Sequence, residues 1–201
     1  MVKEFGRRVT AFSMRGMLGS GAFANIQNLT GGNAGDVFSF RTGGSLAGRL
    51  DGGAGVNSLD YSAFVGDVTV DLPLSIATAV AQSIAGIQNV TGSQGNDTLV
   101  GDANANVLRG GTGRNLIIGG QGADQVFGGL QDYILIGGYT AYDQNPIALA
   151  AIMKEWTSAD SYAARIKAIN NGVIGKDGQR YDLVGGKGKA TTVSTMGQRT
   201  Y

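Results

Sequence analysis

The hydrophobic and polar positions between residues 92 and 136 repeat every nine residues. Five consecutive segments begin with glycine and carry a short apolar run near their end: GSQGNDTLV, GDANANVLR, GGTGRNLII, GGQGADQVF and GGLQDYILI. Six turn residues followed by three strand residues would place the eighth side chain at the centre of a short strand. That position is apolar in all five segments, at Leu99, Leu108, Ile117, Val126 and Leu135.

This period predicts a solenoid. Two segments, about 18 residues, make one coil with strands on opposite walls, and the eighth-position side chains fill the space between the walls. Successive coils stack at the spacing of paired strands, about 4.8 Å. The glycines at the first, second and fourth positions are expected where the chain needs a positive φ or a close backbone approach.

Earlier segments share the pattern. GGNAGDVFS begins at Gly31, and GGSLAGRLD and GGAGVNSLD follow at residues 43–60. A longer duplication relates ANIQNLTGGNAGDVF (24–38) to AGIQNVTGSQGNDTL (85–99). We therefore predict two cassettes, each opening with an Ile-Gln-Asn-(Leu/Val)-Thr strand, and the sequence between them alternates like strand and turn.

The seventh and ninth positions of the late segments are also apolar, which predicts an outward wall that needs a cover. Asn145 is a suitable N-cap and Pro146 suits the first position of a helix. A second helix is predicted to end at Gly172. We expect the two helices to cover this wall and cap the solenoid. Their apolar faces are Leu149, Ile152, Met153 and Trp156, and Tyr162, Ile166 and Ile169.

The predicted fold is mainly β, a right-handed parallel β-roll or β-solenoid of glycine-rich nonapeptide turns capped by one or two C-terminal α-helices. Residues 1–22 form an N-terminal segment that is a candidate for disorder. Residues 23–143 form the solenoid in two cassettes, residues 144–172 the helical cap, and residues 173–201 a basic C-terminal tail.

Composition limits the chemistry. The chain has 35 glycines and neither cysteine nor histidine, which excludes disulfides, imidazole-based zinc sites and Ser-His-Asp catalysis. Any metal must be held by oxygen atoms. The basic residues cluster at both ends without interleaved aromatic residues, so we expect solvated tails and no nucleic-acid partner. The longest uncharged run, residues 72–96, is too polar for a membrane span.

The sixth position of the segments carries an oxygen ligand. It is a carboxylate at Asp36, Asp97 and Asp124, and segments two apart lie on the same edge, so these oxygens form rows. Carboxylates one coil apart repel each other unless a cation lies between them. Calcium suits such a row because it accepts six to eight oxygens, including main-chain carbonyls, whereas magnesium prefers a tighter octahedron. Amides hold the same position at Asn57, Asn106 and Asn115.

GGQGADQVF fits the nonapeptide G-G-x-G-x-D-x-U-x at every position. Over roughly residues 24–170 the chain resembles RTX, or hemolysin-type, calcium-binding repeat proteins, which are bacterial surface or secreted proteins. The resemblance implies Ca²⁺ ions between successive turns, held by sixth-position side chains and by carbonyls of the glycine turns. The ligand positions it implies here are Asp97, Asp124, Asn106, Asn115, Gly92, Gly101, Gly110, Gly119, Gly122, Asp36, Asn57 and Asp132.

Several positions depart from the family pattern. Asn106 and Asn115 supply one neutral oxygen each, and Tyr133 replaces the sixth-position Asp although Asp132 stands beside it. One edge should carry Asp97, Asn115 and Tyr133, and the other Asn106 and Asp124. We therefore expect fewer or weaker ions than in an uninterrupted array, and a small role for Asp132.

Three functions fit the sequence. The first is a calcium-binding module with calcium-coupled folding and a structural role in an exported bacterial protein. The alternative is a small calcium-dependent hydrolase of an ester, lactone or phosphoester. Its catalytic residues are unassigned, because no spacing marks an active site. The third is an adhesive or carbohydrate-binding solenoid that uses Tyr139 and Tyr142, so a small-molecule or glycan ligand stays unassigned. Candidate carboxylates for the hydrolase are Asp97, Asp124, Asp132 and Asp143.

The expected location follows from the resemblance, which implies the extracellular space or the cell surface. Arg15 interrupts the apolar N-terminal stretch before it reaches the length of a signal peptide. We therefore expect type I-like export rather than a Sec signal.

Overall fold

The computed structural model describes residues 27–183 together with four short strands outside that range, Val9–Ala11, Gly16–Leu18, Gly21–Phe23 and Val193–Ser194. The rest of the predicted N-terminal segment and of the basic tail lies outside the described residues. Within them, the chain is a parallel β-solenoid followed by two helices.

The strands are short, as the nonapeptide pattern predicts. In chain order they are β1 Val9–Ala11, β2 Gly16–Leu18, β3 Gly21–Phe23, β4 Leu29–Thr30, β5 Val37–Arg41, β6 Leu50–Asp51, β7 Ser58–Ala63, β8 Thr69–Asp71, β9 Ile76–Ala77, β10 Ile84–Ala85, β11 Asn89–Thr91, β12 Thr98–Val100, β13 Val107–Arg109, β14 Asn115–Ile118, β15 Gln125–Phe127, β16 Tyr133–Ile136, β17 Val173–Ile174, β18 Arg180–Tyr181 and β19 Val193–Ser194. The helices are α1 Pro146–Trp156 and α2 Tyr162–Asn171.

Two six-stranded sheets form the walls of the solenoid. The first wall has the order β1-β5-β7-β11-β13-β15, and all of its neighbours are parallel. The second wall has the order β19-β16-β14-β12-β8-β9, with antiparallel pairing at its two ends only. A third sheet, β10-β6-β4, lies in the N-terminal half.

The length of a coil changes along the chain. From β11 onward, equivalent residues of successive coils are 18 residues apart, as predicted. Earlier coils are longer, with offsets of 21 and 31 residues, because the extra residues add the strands of the third sheet. The duplicated segments therefore lie on different sheets: Leu29 is in the third sheet, whereas the matching Val90 is in the first wall.

The eighth-position side chains form the centre of the core. Leu99, Leu108 and Ile117 are fully buried between the walls. Val126 and Leu135 belong to the last coil and are only half-buried. Among the described strands, β15 with Val126 ends the first wall, and β16 with Leu135 is followed only by the short antiparallel β19. The prediction that this position fills the interior is thus correct, and it weakens where the stack ends.

The helices cover the outer face of the second wall, which confirms the two predicted helices. Asn145 caps α1 by accepting the Ala148 N–H at 3.1 Å, and Pro146 follows it. Gly172 ends α2 with φ 88°. The helices cover three successive strands of the second wall, β12, β14 and β16. This cover buries Val100, Leu116, Ile118, Ile134 and Ile136 of the wall against Leu149, Ile152, Trp156 and Ile169 of the helices.

Arg165 fixes the helices to the last coil. Its guanidinium is buried, donates to the Trp156 carbonyl at 2.7 Å and to Asp132 Oδ2 at 2.9 Å, and lies 4.7 Å from the centre of the Trp156 ring.

The first residues of the predicted tail form the hairpin of β17 and β18, where Tyr181 is buried. Neither of the two helices in the described part of the chain has the length and hydrophobicity to cross a bilayer.

Candidate metal centre

The sixth-position side chains line the turns in two rows. We call the row that runs from Asp36 through Asn57 and Asn106 to Asp124 the long row. The Asp36 N–H donates to Asn57 Oδ1 at 2.9 Å, and the Asn106 N–H donates to Asp124 Oδ1 at 2.9 Å. In both pairs the sixth-position backbone N–H binds the sixth-position side chain one coil further on. Between them, the Asn57 N–H binds Gln88 Oε1 instead.

The second set, which we call the short row, contains Asp97, Asn115 and Tyr133. The Asp97 N–H donates to Asn115 Oδ1 at 2.9 Å, and β14 pairs Asn115 with Tyr133. The Tyr133 ring lies directly over Gly128, where a Cβ would overlap it. An aromatic ring therefore fills the place that a carboxylate would occupy in the last turn of this row.

The row side chains point inward. Asp36, Asn57, Asp97, Asn106 and Asn115 are each 2% exposed or less, although all are polar. A buried polar group destabilises the fold unless it has a partner. The partners of these groups therefore decide what the turns can bind.

The first glycine of most segments is a place of close approach rather than of unusual φ; Gly43, with φ 81° and open space at its Cβ position, is an exception. A Cβ built on Gly119 would meet the Gly137 carbonyl oxygen at 2.8 Å and Asp124 Oδ2 at 2.9 Å. Both atoms are hydrogen-bond acceptors, and both border the space beside Gly119 that a Cβ would fill. A cation placed there would be attracted to both.

The same arrangement recurs at the other carboxylates. A Cβ on Gly92 would meet Asp97 Oδ2 and the Gly110 carbonyl, and one on Gly31 would meet Asp36 Oδ2 and the Gly52 carbonyl. Glycines at the second and fourth positions serve a different purpose, because Gly120 and Gly122 have φ of 92° and 118°. Two further first-position glycines, Gly101 and Gly110, face the carbonyls of Gly119 and Gly128 and the side chains of Asn106 and Asn115.

Two carboxylate oxygens in the long row lack a partner. Asp124 Oδ2 and Asp36 Oδ1 are buried and accept no hydrogen bond. Asp97 differs, because Ser93 donates its N–H to Oδ2 at 2.6 Å and its hydroxyl to Oδ1 at 2.7 Å, and the Val68 N–H donates to Oδ1 at 2.9 Å. The two orphaned oxygens fit a cation best.

Burial also sets the protonation of these acids. Burial raises the pKa of Asp97 to about 6, and the hydrogen bonds from Ser93 and Val68 only partly oppose it. Burial likewise raises the pKa of Asp124. Both carboxylates are therefore harder to ionise in the folded chain than in water.

Main-chain oxygens must supply most ligands of any ion at these turns. Among residues 27–183, no three acidic side chains converge into a metal site of their own. Asp132 belongs to neither row, because its carboxylate pairs with Arg165. The residue that the sequence reasoning missed is Gln88: its Oε1 accepts the Asn57 N–H at 2.8 Å and its carbonyl accepts Asn106 Nδ2 at 3.0 Å. It lies outside the nonapeptide pattern, so no signal marked it.

A cavity of about 610 Å³ opens beside the end of the long row. The turns at Asp102 and Gln121 form one side, and the loop that carries Tyr139 and Asp143 forms the other. Asp143 accepts the N–H and the hydroxyl of Thr140 at 2.8 and 2.6 Å, and burial raises its pKa. Of the four carboxylates considered for hydrolysis, only Asp143 lines this cavity.

The comparison with protein families agrees with the geometry. Residues 85–111 and 100–135 match the RTX calcium-binding nonapeptide repeat, in four copies. This confirms the resemblance read from the segments. No curated protein matches the chain.

The raised pKa of Asp97 predicts how stability depends on pH without metal. A carboxylate with a raised folded pKa stabilises the fold fully below its ordinary value and loses that contribution as pH rises through about 6. Metal-free protein should therefore become more stable by roughly 1.4 kcal/mol as pH falls from about 7.5 to about 5, because the full contribution of Asp97 is reached only below its ordinary pKa. Thermal melts across this range measure it.

Asp97→Asn is the matched control for the pH experiment. It keeps the shape of the side chain and removes the titrating group, so the rise in stability on acidification should shrink. An unchanged pH slope in this variant would show that Asp97 is not the group responsible.

Proposed function

From the RTX calcium-binding nonapeptide repeats at residues 85–135, we propose that this chain is a calcium-binding structural module of an exported bacterial protein, and that calcium completes the order of its coils. The repeats form a β-solenoid, which fits a calcium-binding structural module. The observation that carries the proposal is the orphaned Asp124 Oδ2 beside the first glycine of its segment, where the Gly137 carbonyl also points.

The role of each residue follows from its place in the rows. Asp124 and Asp36 would each give a carboxylate oxygen that accepts no hydrogen bond. The Gly137 carbonyl, one coil further on, borders the same space as the orphaned Asp124 Oδ2 and would add a neutral oxygen. At Asp36 the Gly52 carbonyl lies on the side of Oδ2, which accepts the Gly32 N–H at 2.7 Å, whereas the orphaned oxygen is Oδ1. Asp97 would bind with less gain, because its oxygens already accept three hydrogen bonds. Calcium supplies the positive charge that these acceptors lack, and a site rich in carbonyls favours it over magnesium.

Calcium-coupled order follows from the same contacts. Two acceptors held together without a donor destabilise a fold, so the metal-free coils around Asp124 should open more easily. Binding of an ion to the folded form alone then adds to the free energy of unfolding. Calcium removal should therefore loosen the solenoid, and magnesium at the same concentration should restore less of its stability.

Export would place the module where calcium is abundant, since extracellular calcium modules work at about 10⁻⁴–10⁻³ M. The family supports this location, because RTX repeats typify secreted bacterial proteins. Fractionation of a culture that makes the protein tests it. Recovery from the cytoplasm alone would contradict export.

Replacement of Asp124 tests the proposed ligands. Asp124→Ala removes the orphaned carboxylate and leaves Gly119 and Gly137 in place, so the rise in Tm on adding calcium should fall clearly. Asp132→Ala is the control. It breaks the ion pair with Arg165 and should lower Tm with and without calcium by similar amounts, which leaves the calcium-dependent rise nearly intact.

Melting curves of both variants, each with and without calcium, provide the measurement. A larger loss of the calcium-dependent rise in Asp132→Ala than in Asp124→Ala would move the ligands to the last turn. No calcium response in the unmodified protein would overturn the proposed function itself.

A hydrolytic role is the second candidate, and the cavity beside the long row favours it. Asp143 combines a pKa raised by burial with a place in the lining of an open cavity, two features that catalytic acids and bases share. A panel of esters, lactones and phosphoesters, assayed with calcium, should show turnover that Asp143→Asn abolishes. Turnover that persists in the variant, or none on the panel, would count against this role.

A further inference from the structure

Two of the three sixth-position amides, Asn57 and Asn115, meet the carbonyl beside the first glycine in the opposite way to a carboxylate. At Asn106 it is Oδ1 that faces the Gly119 carbonyl, because Nδ2 donates to the Gln88 carbonyl. At Asn57, Oδ1 accepts the Asp36 N–H at 2.9 Å while Nδ2 donates to the Gly86 carbonyl at 2.8 Å. The side chain is fully buried. Its amide thus donates a hydrogen bond at the point where a carboxylate would present a second oxygen.

Asn115 repeats this arrangement in the short row. Its Oδ1 accepts the Asp97 N–H at 2.9 Å, and its Nδ2 donates to the carbonyls of Gly128 at 3.1 Å and Thr112 at 3.0 Å. The N–H partner fixes which end of the amide is oxygen, so the nitrogen must face the carbonyls. Asn115 is also fully buried.

The amides lie in the middle of the long row, between the two carboxylates at its ends. The two carboxylates with orphaned oxygens, Asp36 and Asp124, stand at opposite ends of the row. Asn57, Gln88 and Asn106 lie between them and join the coils through their amides. In the short row, Asn115 and the satisfied Asp97 lie in the same central coils.

We propose that the amides of Asn57 and Asn115 take the place of a cation, so that the central coils hold without calcium and only the coils at Asp36 and Asp124 depend on it. We call these two side chains the amide latches. The inference rests on the proposed calcium-binding function and refines it. Each latch satisfies a buried carbonyl at neutral charge, which is the condition that an ion would otherwise meet. The solenoid is then a permanent centre with calcium-dependent ends.

Hydrogen exchange of the full chain measures the two regions separately. In metal-free protein, amides in residues 89–118 should already be protected, and calcium should add little there. Amides in residues 27–36 and 119–136 should exchange at least ten times more slowly once calcium is added. A centre that is unprotected without calcium, or that gains as much protection as the ends, would overturn the inference.

Asn115→Asp tests a latch directly. It places an oxygen opposite the Gly128 carbonyl, so the metal-free Tm should fall by about 5 °C and the rise on adding calcium should grow by a similar amount. Asn171→Asp is the matched control, because it makes the same charge change at an exposed residue at the end of α2. Its calcium-dependent rise should equal that of the unmodified chain.

Asp124→Asn provides the reverse change and does not depend on the folding of the first variant. It offers an amide to the Gly137 carbonyl, so the metal-free Tm should rise while the calcium-dependent rise shrinks. If calcium stabilises the unmodified chain and neither substitution changes that effect, the amide latches are refuted but the proposed function stands. No calcium response in the unmodified chain would refute the proposed function, whether or not the centre is protected.

Discussion

The structure depends on how the oxygens of the glycine turns are satisfied where one coil meets the next. At Gly31, Gly92, Gly101, Gly110 and Gly119 the absence of a Cβ allows the carbonyl of the next coil and the sixth side chain to approach the same point. Two acceptors in that place repel, whereas an acceptor and a donor attract. The stacking of the coils is therefore tied to the identity of one residue in nine. An Asp oxygen without a donor, as at Asp36 and Asp124, leaves a place for a cation, whereas Asp97 is satisfied by Ser93 and Val68 and an Asn in the latch orientation supplies its own donor.

The apolar core holds the coils together, but it does not determine how the oxygens of the turns are satisfied. Leu99, Leu108 and Ile117 fill the space between the walls and hold the turns at the strand spacing. The helices act on the other side of the second wall, where Trp156 packs against its outer face. Arg165 links this cover to Asp132 in the last coil, so the final turn is held by an ion pair within the protein. At the C-terminal end of the solenoid, the helices hold one edge of the last coil. The other edge depends on the carboxylate of Asp124.

Much of the fold could be predicted because its pattern is local. The nine-residue period predicts turns, strands and the buried eighth position, and the caps Asn145 and Gly172 mark the ends of the helices. The rows also follow from the period, since segments two apart must share an edge. The apolar seventh and ninth positions also predicted that the helices would cover the outer wall, whereas the ion pair of Arg165 with Asp132 could not be predicted, because it joins residues 33 positions apart.

The sequence by itself determined a calcium-type repeat, its strands, its core and the residue types available at each turn. Only the tertiary structure decided what those residue types do. The amide of Asn115 donates to Gly128 because the Asp97 N–H from the coil before it claims the oxygen. Gln88 enters the long row because the longer early coils bring it beside Asn57. Such pairings join residues 13 to 31 positions apart, and a hydrogen bond between coils depends on how the coils stack, which no local pattern encodes.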